Sequence, residues 1–513
     1  MRIVTKEEMR AIEIETANTY GIDEWLMMEH AAIALYLAVE DEFESLVGKK
    51  VLVLVGKGNN GGDALASARN FIEAGAEVRV YLVLGETSGN LPKRHLSILK
   101  KMGVPVEIYE KSMRSVFMNE LKSADIVIDG ILGTGASNLL SDELMELIKM
   151  VNENSKFTVA VDLPSGIESN TGKLLGAAIH ADLTVTFGVL KTGMLFYPAR
   201  EMCGKIKIGK IGIPGHLMNE AHFKGEVITF DDAKLLLPKR PALSHKGTFG
   251  KVMIIAGSRR YTGAPILSAY GALRVGAGLV TLGVPEPFNT TVTTSLPEAI
   301  AIPLPVTQDG SLAVTSRQEV KELINKSDVI AIGPGLGDNF ETGEIVKWIV
   351  SNFDKPMILD ADALNLLSRD TNEITFSEKT VMTPHPGEFA RLTSKKVEDI
   401  LSNPVKNAVE FAQSKGISVL LKGATTVIAS PDGRYYLNVT GNSGLATGGS
   451  GDVLTGMIAG FMAQELNSLD ALKLAAYVHG RAAEIYAEKS NEASLLPRDL
   501  IELIPQVLKN LSS

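Results

Sequence analysis

Short apolar runs that end in glycine or aspartate recur along the chain and alternate with longer amphipathic stretches. In the first half these runs are KVLVLVG, VRVYLVLG, ADIVIDG, FTVAVDLPSG and ADLTVTFG. Strands that are apolar on both faces are typical of a parallel sheet covered by helices on each side. The pattern predicts an α/β, Rossmann-like three-layer domain. Because several strands end in aspartate and glycine, it also predicts one shared ligand site at their carboxyl ends.

A second series of apolar runs and glycine turns follows in the other half of the chain. It contains GKVMIIAG, SDVIAIG, KPMILD, KTVMTP and ISVLLKG. The connection IGIPGHLMNEAHFKGE interrupts the alternation between the two series. Since 513 residues are too many for one ordinary core, the sequence predicts two α/β domains, residues 1–220 and residues 221–513.

Composition and charge narrow the range of partners. The net charge is −9 and no block of lysine or arginine is present, which argues against a nucleic-acid footprint. No apolar run reaches the roughly 18 residues that a membrane helix needs, and the amino-terminal stretch carries acids where a signal peptide is apolar. The single cysteine, Cys203, excludes an internal disulfide and predicts a buried thiol in a reducing compartment. A cytoplasmic protein that acts on small molecules is expected.

The stretch GNSGLATGGSGDVLTG, residues 441–456, contains six glycines, five of which lie with Asp452 directly before an apolar run that predicts a buried helix. Glycines that enter a helix can direct several backbone N–H groups at one anion. A carboxylate beside that anion can act as a general base towards a hydroxyl group that attacks the phosphoryl group. The alternative is a flexible surface loop.

The first half contains a comparable set of polar residues at predicted strand ends. GNNGGD, residues 58–63, follows a strand and opens a helix, so its amides can hold phosphate. Asn59, Asn60, Asp129 and Ser165 together supply oxygen ligands for a hard cation, and Asp162 remains free for acid–base chemistry. The alternative is that Asp129 and Asp162 only cap the turns that follow them.

Two further motifs in the second half carry polar groups at strand ends. His385 lies between two prolines in TPHPGE, and KGATT, residues 422–426, offers one cation and two hydroxyls for a phosphate. A structural histidine and an ordinary turn between strands are the respective alternatives. The remaining histidines have no zinc-site spacing, and neither GxSxG nor GxxxxGK[ST] occurs.

The second half also contains, in order, HKGTFGKVMIIAGS, YTGAP, IGPGLG, LDADALN, TPHPGE, KGATT and GNSGLATGGSGD. With these motifs the chain resembles the bifunctional nicotinamide-nucleotide hydrate repair enzymes over nearly its whole length. In that family an NAD(P)H-hydrate epimerase domain precedes an ADP-dependent NAD(P)H-hydrate dehydratase domain of ribokinase-like α/β fold. The resemblance implies epimerisation of R- and S-NAD(P)HX, and dehydration of S-NAD(P)HX to NAD(P)H with ADP, giving AMP and phosphate.

The resemblance also implies roles for residues of the dehydratase. Asp452 would be the catalytic base that activates the hydroxyl of the hydrated ring, and Mg²⁺ would be the counter-ion of the phosphates. The pocket for the hydrate would be lined by Ala264, Gly335, Gly337, His385 and Asp452. The nucleotide would be bound by Lys422, Gly423, Ala424, Thr425, Thr426, Asn442, Gly448, Gly449 and Gly451.

In the epimerase the resemblance implies that Asp162 is catalytic and moves protons as the configuration at ring carbon six inverts. Potassium would be bound by Asn60, Asp129 and Ser165. Besides Asp162, the hydrate would be held by Asn59, Asn60, Gly61, Gly62, Asp63, Gly133, Thr134, Gly135, Ala136, Ser137, Asn138 and Leu139. The chain departs from the family pattern at Ala64, where glycine is usual, and at GTGAS in place of GTGL.

Two rival interpretations follow from the same motifs. The GxGD loop alone is equally compatible with an ATP-dependent small-molecule kinase of ribokinase type. The first domain could then be a non-catalytic scaffold, although Asn60, Asp129, Asp162 and Ser165 are all present. The family resemblance further implies a homo-oligomer.

Overall fold

The computed structural model describes residues 1–219, 223–369, 371 and 374–513. The chain forms two compact units, Arg2–Gly225 and Glu226–Ser513, the second of which also includes Met1. The boundary predicted between residues 220 and 221 lies outside the described residues, so its position stays a prediction. None of the helices in the described ranges is both long enough and apolar enough to cross a bilayer.

The N-terminal unit is built on seven parallel strands in the order β4-β3-β2-β5-β6-β7-β9. A separate parallel pair joins β1 to β8. The strands are β1 (Arg2–Val4), β2 (Lys50–Val55), β3 (Glu77–Leu82), β4 (Val106–Ile108), β5 (Ile126–Gly130), β6 (Thr158–Val161), β7 (Leu183–Phe187), β8 (Leu190–Lys191) and β9 (Lys205–Gly209). The helices are α1 (Lys6–Tyr20), α2 (Glu24–Glu40), α3 (Asn59–Glu73), α4 (Asn90–Lys101), α5 (Arg114–Ser123), α6 (Asp142–Asn154) and α7 (Ala199–Met202).

Helices cover both faces of this sheet. Val51, Val53 and Val55 of β2 belong to one buried cluster, with residues of α2, α3 and α4. Leu52 and Leu54 point the other way, into a cluster with residues of α5 and α6. Alternate residues of one strand therefore enter two cores, which confirms the predicted three-layer arrangement. Cys203 is fully buried, as predicted for a structural thiol.

The C-terminal unit contains nine strands in the order β13-β12-β11-β14-β15-β16-β17-β18-β19. Strands β11 to β17 are parallel, while β18 and β19 complete the order as antiparallel strands. The strands are β10 (Gly225–Val227), at the division between the units, then β11 (Lys251–Ile255), β12 (Leu279–Pro285), β13 (Ile300–Leu304), β14 (Val329–Ile332), β15 (Met357–Leu359), β16 (Thr380–Met382), β17 (Ser418–Leu421), β18 (Thr426–Ala429) and β19 (Tyr435–Asn438).

Helices of the C-terminal unit flank this sheet. They are α8 (Phe230–Leu236), α9 (Ala264–Arg274), α10 (Asn289–Ser295), α11 (Arg317–Asn325), α12 (Phe340–Asn352), α13 (Asp362–Leu367), α14 (Pro386–Thr393), α15 (Val397–Ser402), α16 (Pro404–Lys415), α17 (Ser450–Ala463), α18 (Ser468–Ala487) and α19 (Pro497–Ser512). Residues of α9, α17, α18 and α19 share one buried cluster with Val252 and Ile254 of β11. Met253 and Ile255, on the opposite face of β11, are also buried.

In each unit the strand order reverses beside the first long strand, and this reversal positions a site. In the N-terminal unit the chain runs outward from β2 to β3 and β4, then returns to β5 on the other side of β2. In the C-terminal unit the reversal lies between β11 and β14. Loops that leave adjacent strands in opposite directions open a crevice at their carboxyl ends, where ligands bind in such sheets.

Gly56→Ala is expected to destabilise the N-terminal unit, because an added Cβ would lie 1.7 Å from the carbonyl oxygen of Ile131. Overpacking of this kind costs about 1–3 kcal/mol, and the denaturant midpoint of the full chain measures it. Gly58→Ala is the matched control, since nothing lies within 4 Å of a Cβ at that position. Equal losses in the two variants would contradict the steric explanation.

Candidate active sites

A cavity of about 520 Å³ opens at the carboxyl edge of the N-terminal sheet. It lies at the reversal point, between the loop after β2 and the loop after β5. The predicted site residues that line it are Asn59, Asn60, Asp63, Gly133, Thr134, Gly135, Ala136 and Asp162. The structure therefore brings the GNNGGD motif and the aspartate at the end of β6 into one cavity.

The other residues predicted to hold the hydrate lie elsewhere. Gly61 and Gly62 are buried within α3, where they permit close contacts: an added Cβ would lie 2.4 Å from the Gly56 carbonyl oxygen and 2.7 Å from the Met28 methyl carbon, respectively. Ser137, Asn138 and Leu139 are exposed beyond the cavity, and Leu139 is 82% exposed.

Ala64, the departure from the family pattern, is fully buried in α3. Its Cβ faces Gly130, where an added Cβ would come within 2.5 Å of it. The methyl group of Ala64 thus fills space next to a glycine and does not enter the cavity lining.

Asp162 follows β6 in a left-handed backbone conformation, with φ of +64°. Its Oδ1 accepts hydrogen bonds from the backbone N–H of Phe187, at 2.9 Å, and from the hydroxyl of Thr186, at 3.2 Å. The same oxygen contacts Nζ of Lys191, a side chain that is only 1% exposed. A positive φ is strained for a non-glycine residue, so neighbouring contacts must hold it. Such residues are concentrated at functional sites.

Lys191 forms a buried cationic centre beneath the cavity. Besides Asp162, its Nζ donates to the hydroxyl of Thr186, at 3.0 Å, and to the carbonyl oxygen of Phe187, at 2.9 Å. Sequence reasoning missed this residue, because a single lysine in GVLKTGM carries no recognisable signal.

Two other carboxyl groups of the cavity interact with Asp162 and Lys191. Glu13 of α1 and Asp63 of α3 both line the cavity. Burial, followed by the charge of Asp162, raises the pKa of Glu13 to about 7. Burial and the charges of Asp162 and Glu13 raise the pKa of Asp63 well above its usual range. The site therefore retains protons at neutral pH, and sequence reasoning did not identify Glu13.

Behind the cavity, Asp129, Ser165 and Asn60 form an oxygen-rich cluster. Both Asp129 oxygens accept hydrogen bonds from Ser165, from its hydroxyl at 2.6 Å and its backbone N–H at 2.8 Å. The Asn60 amide nitrogen donates to the Leu132 carbonyl oxygen at 2.8 Å. Asp129 is completely buried, and burial raises its pKa to about 6. These oxygens fit the ligands of a potassium ion, which would neutralise the buried carboxyl.

In the C-terminal unit, Asp452 lies in the first turn of α17. The preceding Gly449 caps the helix with φ of +97°, and no side chain caps the helix N-terminus. Gly451 and Asp452 thus lie where backbone N–H groups have no partner within the helix, which is the arrangement that favours an anion.

Lys422, at the end of β17, connects this helix to the neighbouring strands. Its Nζ donates to Oδ1 of Asp360 at 2.6 Å, and Asp360 is 1% exposed. The hydroxyl of Thr455 donates to Oδ2 of Asp360 at 2.5 Å. A Cβ added at Gly451 would lie 3.3 Å from Nζ of Lys422. The lysine of KGATT and the GxGD loop therefore meet, and Asp360, within LDADALN, connects them.

This environment changes the acidity of Asp452. Burial, followed by the charge of Asp360, raises the pKa of Asp452 to about 7, although Lys422 opposes the shift. A carboxyl group with a pKa near neutrality can both accept and release a proton at physiological pH.

The reversal point between β11 and β14 supplies the opposite side of this site. Ala264 begins α9, and a Cβ added at Gly335 would lie 3.0 Å from the Cβ of Ala264. The backbone N–H of Gly337 donates to Oδ2 of Asp362 at 2.8 Å, and Asp362 is among the charges that raise the pKa of Asp452.

His385 caps the N-terminus of α14, with Nδ1 accepting from the N–H of Gly387 at 3.0 Å. Its other ring nitrogen, Nε2, lies 3.3 Å from Oε1 of Glu388. Burial, followed by the charge of Lys422, lowers the pKa of His385. His385 therefore caps α14 and also lies close enough to Lys422 to be affected by its charge.

The remaining predicted nucleotide-binding residues differ in exposure. Gly423, Ala424 and Gly448 are exposed, Thr426 and Gly449 are half-buried, and Thr425 is buried. The Asn442 amide is engaged internally, because its nitrogen donates to Ala483 and its oxygen accepts from Gly444. His479, which sequence reasoning set aside, is buried with Nε2 3.0 Å from the Ser450 carbonyl oxygen.

Metal-binding geometry of the usual kind is absent from the described ranges, which contain no group of three or more His, Cys, Asp or Glu side chains placed to hold a metal ion.

Each of the two units matches a known protein family. The profile of the family described as NAD(P)H-hydrate dehydratase matches residues 252–506, and that described as YjeF-related protein N-terminus matches residues 25–193. Among solved structures, an ADP/ATP-dependent NAD(P)H-hydrate dehydratase from Bacillus subtilis, co-crystallised with ATP and Mg²⁺, is 34% identical, with a TM-score of 0.50, and covers 56% of this chain and 98% of its own. A ribokinase-like superfamily protein from Enterococcus faecalis is 28% identical, with a TM-score of 0.51, over 57% of this chain and 99% of its own.

Two relatives that match over nearly their full length carry the same name. The bifunctional NAD(P)H-hydrate repair enzyme Nnr of Moorella thermoacetica is 38% identical over 516 residues, which cover 100% of this chain and 97% of the relative. The protein of the same name from Escherichia coli is 33% identical and covers 98% of this chain and 93% of its own length. The chain belongs to the family of bifunctional NAD(P)H-hydrate repair enzymes.

Proposed function

We propose that this protein repairs hydrated nicotinamide nucleotides at two sites. The N-terminal unit interconverts the R and S epimers of NAD(P)HX, and the C-terminal unit dehydrates the S epimer with ADP. The observation that carries the proposal is the position of Asp452, which lies beside Lys422 and Asp360 at an uncapped helix N-terminus.

Dehydration follows from that position. The Asp452 carboxylate takes the proton from the hydroxyl at ring carbon six, and the hydroxyl oxygen attacks the terminal phosphoryl group of ADP as AMP leaves. Phosphate is a better leaving group than hydroxide, so the ring nitrogen can expel it. Loss of a proton from ring carbon five then restores the double bond of NAD(P)H. Net consumption is one ADP per hydrate, with AMP and phosphate as products.

Lys422 and the N–H groups of the first turn of α17 supply positive charge where the phosphoryl group is transferred. Mg²⁺, carried by the nucleotide phosphates, adds further neutralisation of their charge. Asp360 orients Lys422 through the 2.6 Å hydrogen bond to its ammonium group. The Thr455 hydroxyl orients Asp360 in turn.

Epimerisation is assigned to the 520 Å³ cavity of the N-terminal unit. Asp162 accepts and releases the proton of the ring hydroxyl, with Lys191 holding its carboxylate in position. Potassium is assigned to the oxygens of Asn60, Asp129 and Ser165, where it would stabilise the loop from Ile131 to Gly133. Because the dehydratase consumes one epimer, the epimerase supplies it from the other.

Ser165→Ala is expected to weaken potassium activation of the epimerase about tenfold or more. The substitution removes one oxygen ligand, and it also removes the hydroxyl that donates to Asp129 and accepts from Leu132 N–H. The half-saturating potassium concentration for conversion of the R epimer measures the effect. Ser123→Ala, at an exposed position in α5, is the control. Unchanged potassium dependence in Ser165→Ala would contradict the proposed potassium site.

The function is tested by following the absorbance of NADH as the full-length protein meets a mixture of both NADH hydrates with Mg²⁺ and potassium. With ADP, complete recovery of NADH is expected in two phases, the second limited by epimerisation. Recovery that stops after one epimer would leave the dehydratase alone. No recovery with ADP or ATP would favour the ATP-dependent kinase and a search for its phosphate acceptor. The homo-oligomer stays a prediction, which light scattering can test.

A further inference from the structure

The N-terminal cavity contains more acid groups than the proposed epimerase has used. Glu13, Asp63 and Asp162 line it and come from three different elements, α1, α3 and the end of β6. Lys191 is the buried cation that they share. Glu24 and Lys57 also line the cavity. Four carboxyl groups therefore face two ammonium groups, and such an excess of acids is resolved by protonation.

Glu13 is held over the cavity by the packing of α1. Met9, one turn earlier, packs beside Gly188, where an added Cβ would lie 2.7 Å from the Met9 methyl carbon. Gly188 follows Phe187, which lines the cavity and donates its N–H to Asp162. In the part of the chain that the structure describes, no hydrogen-bond donor engages the Glu13 carboxyl. It is therefore available to a bound molecule.

Inversion at ring carbon six needs one acid that donates a proton and one base that accepts a proton. The carbon bears both the hydroxyl and the ring nitrogen, so the nitrogen lone pair can expel the hydroxyl once an acid protonates it. The C–O bond breaks, water leaves and a planar iminium ion remains. Water then adds to the opposite face, the new C–O bond forms and a base removes the extra proton. One carboxylic acid and one carboxylate suffice, and they exchange roles in the reverse direction.

We propose that Glu13 is the second catalytic acid–base group of the epimerase, acting with Asp162 so that one carboxyl protonates the departing hydroxyl and the other deprotonates the incoming water. This inference rests on the proposed epimerase function and deepens it. It assigns Asp63 of α3 to the substrate-binding wall, which also includes Asn59 and Asn60.

The charged groups around Glu13 define its pH behaviour. They are Asp162, Lys191, Glu24 and, on its own helix, Arg10, and Asp63 and Lys57 lie on the same cavity wall. Burial raises the pKa of Glu13 to about 7; the charges of Asp162 and Glu24 add to this shift, and those of Lys191 and Arg10 oppose it. A proton can thus pass on and off Glu13 at neutral pH.

The test compares Glu13→Gln with Glu15→Gln in the full-length protein. Glu15 is exposed on the same helix and serves as the matched control. In the two-phase assay with ADP, Glu13→Gln is expected to slow the second phase by about 100-fold or more while the first phase stays normal. The normal first phase shows that the C-terminal unit is folded, and a denaturant midpoint equal to that of Glu15→Gln shows that the N-terminal unit is folded. Glu13→Asp should recover part of the rate and restore the limb of the pH profile near neutrality that Glu13→Gln loses. In isotopically labelled water, the wild-type enzyme should place solvent oxygen on the inverted carbon.

The outcomes separate this inference from the proposed function. No second phase in the wild-type protein would defeat epimerisation itself. A wild-type second phase that Glu13→Gln matches in rate and pH profile would overturn the role of Glu13. Loss of the second phase in Asp63→Asn together with a normal rate in Glu13→Gln would assign the second group to Asp63 and overturn the inference. Inversion without solvent oxygen in the product would also overturn it, since the C–O bond would not have broken.

Discussion

Asp452→Asn is expected to slow ADP-dependent dehydration by about 10² to 10⁴-fold, because general-base catalysis contributes gains of that size. An amide keeps the shape of the side chain but cannot take the proton from the ring hydroxyl. In the wild-type protein the rate should rise with pH through about 7, the pKa of Asp452, since the ionised form is the base. The first phase of NADH recovery, measured across pH, checks both expectations.

The same substitution should stabilise the protein. Folding raises the pKa of Asp452 from 3.8 to about 7, so the native state disfavours the ionised form. The penalty is absent below the unfolded pKa and complete above the folded pKa. Asp452→Asn removes it, and the gain in the free energy of unfolding should therefore grow from near zero at pH 4 to a few kcal/mol, roughly, at pH 8.

Asp231→Asn is the control for Asp452→Asn. Asp231 is an exposed aspartate in the first turn of α8, and its replacement should change neither rate nor stability appreciably. A variant at Asp452 that lost stability at pH 8, or that retained normal dehydration, would contradict the assignment of this residue as a desolvated base.

Lys191→Met is expected to cost about 3–5 kcal/mol of folding free energy, because it removes one partner of a buried ion pair. Asp162 would lose its cation, and the Thr186 hydroxyl and the Phe187 carbonyl would lose a donor. Epimerisation should fall with it, because the pKa values of Glu13 and Asp63, which Lys191 lowers, would rise further. Denaturant unfolding and the second phase of NADH recovery measure the two effects.

Two further variants show whether the buried charge is the cause. Lys173→Met, at an exposed lysine of the same unit, should leave stability and both phases near normal. Lys191→Met combined with Asp162→Asn should recover part of the lost stability, since the uncompensated carboxylate is gone, but no epimerisation. If the double variant had a clearly lower free energy of unfolding than Lys191→Met, loss of the ion pair would not explain why Lys191→Met is destabilised.

Strand ends were the part of each site that could be predicted from the sequence. Asp129, Asp162 and Lys422 each follow a short apolar run, and parallel strands bring their carboxyl ends to one edge. Asp452 could be identified in the same way, because a glycine run followed by an apolar helix has a local physical meaning. The sequence predicted the loop from Gly133 to Leu139 as a single substrate-binding segment. It did not predict that Ser137, Asn138 and Leu139 are exposed beyond the cavity.

The partners of these residues could not be read from the sequence. Lys191 meets Asp162 across 29 positions, Asp360 meets Lys422 across 62, and Thr455 meets Asp360 across 95. Glu13 has the helical spacing of the buried residues Met9, Ile12 and Thr16 of α1, whereas Glu15 is exposed. That spacing alone does not show that this face of the helix borders a cavity. Each of these contacts depends on how helices pack on a sheet, which local patterns do not specify.

The sequence by itself determined the α/β class, the series of strands, the family and the acids that follow the strands, because these depend on hydrophobic periodicity and on residue types at fixed spacing. Only the tertiary structure decided which carboxyl groups have a pKa near neutrality. The pKa values of Glu13 and Asp452, both about 7, arise from burial and from charges brought close by the fold. Desolvation and Coulomb energy depend on distance in space and not on distance along the chain.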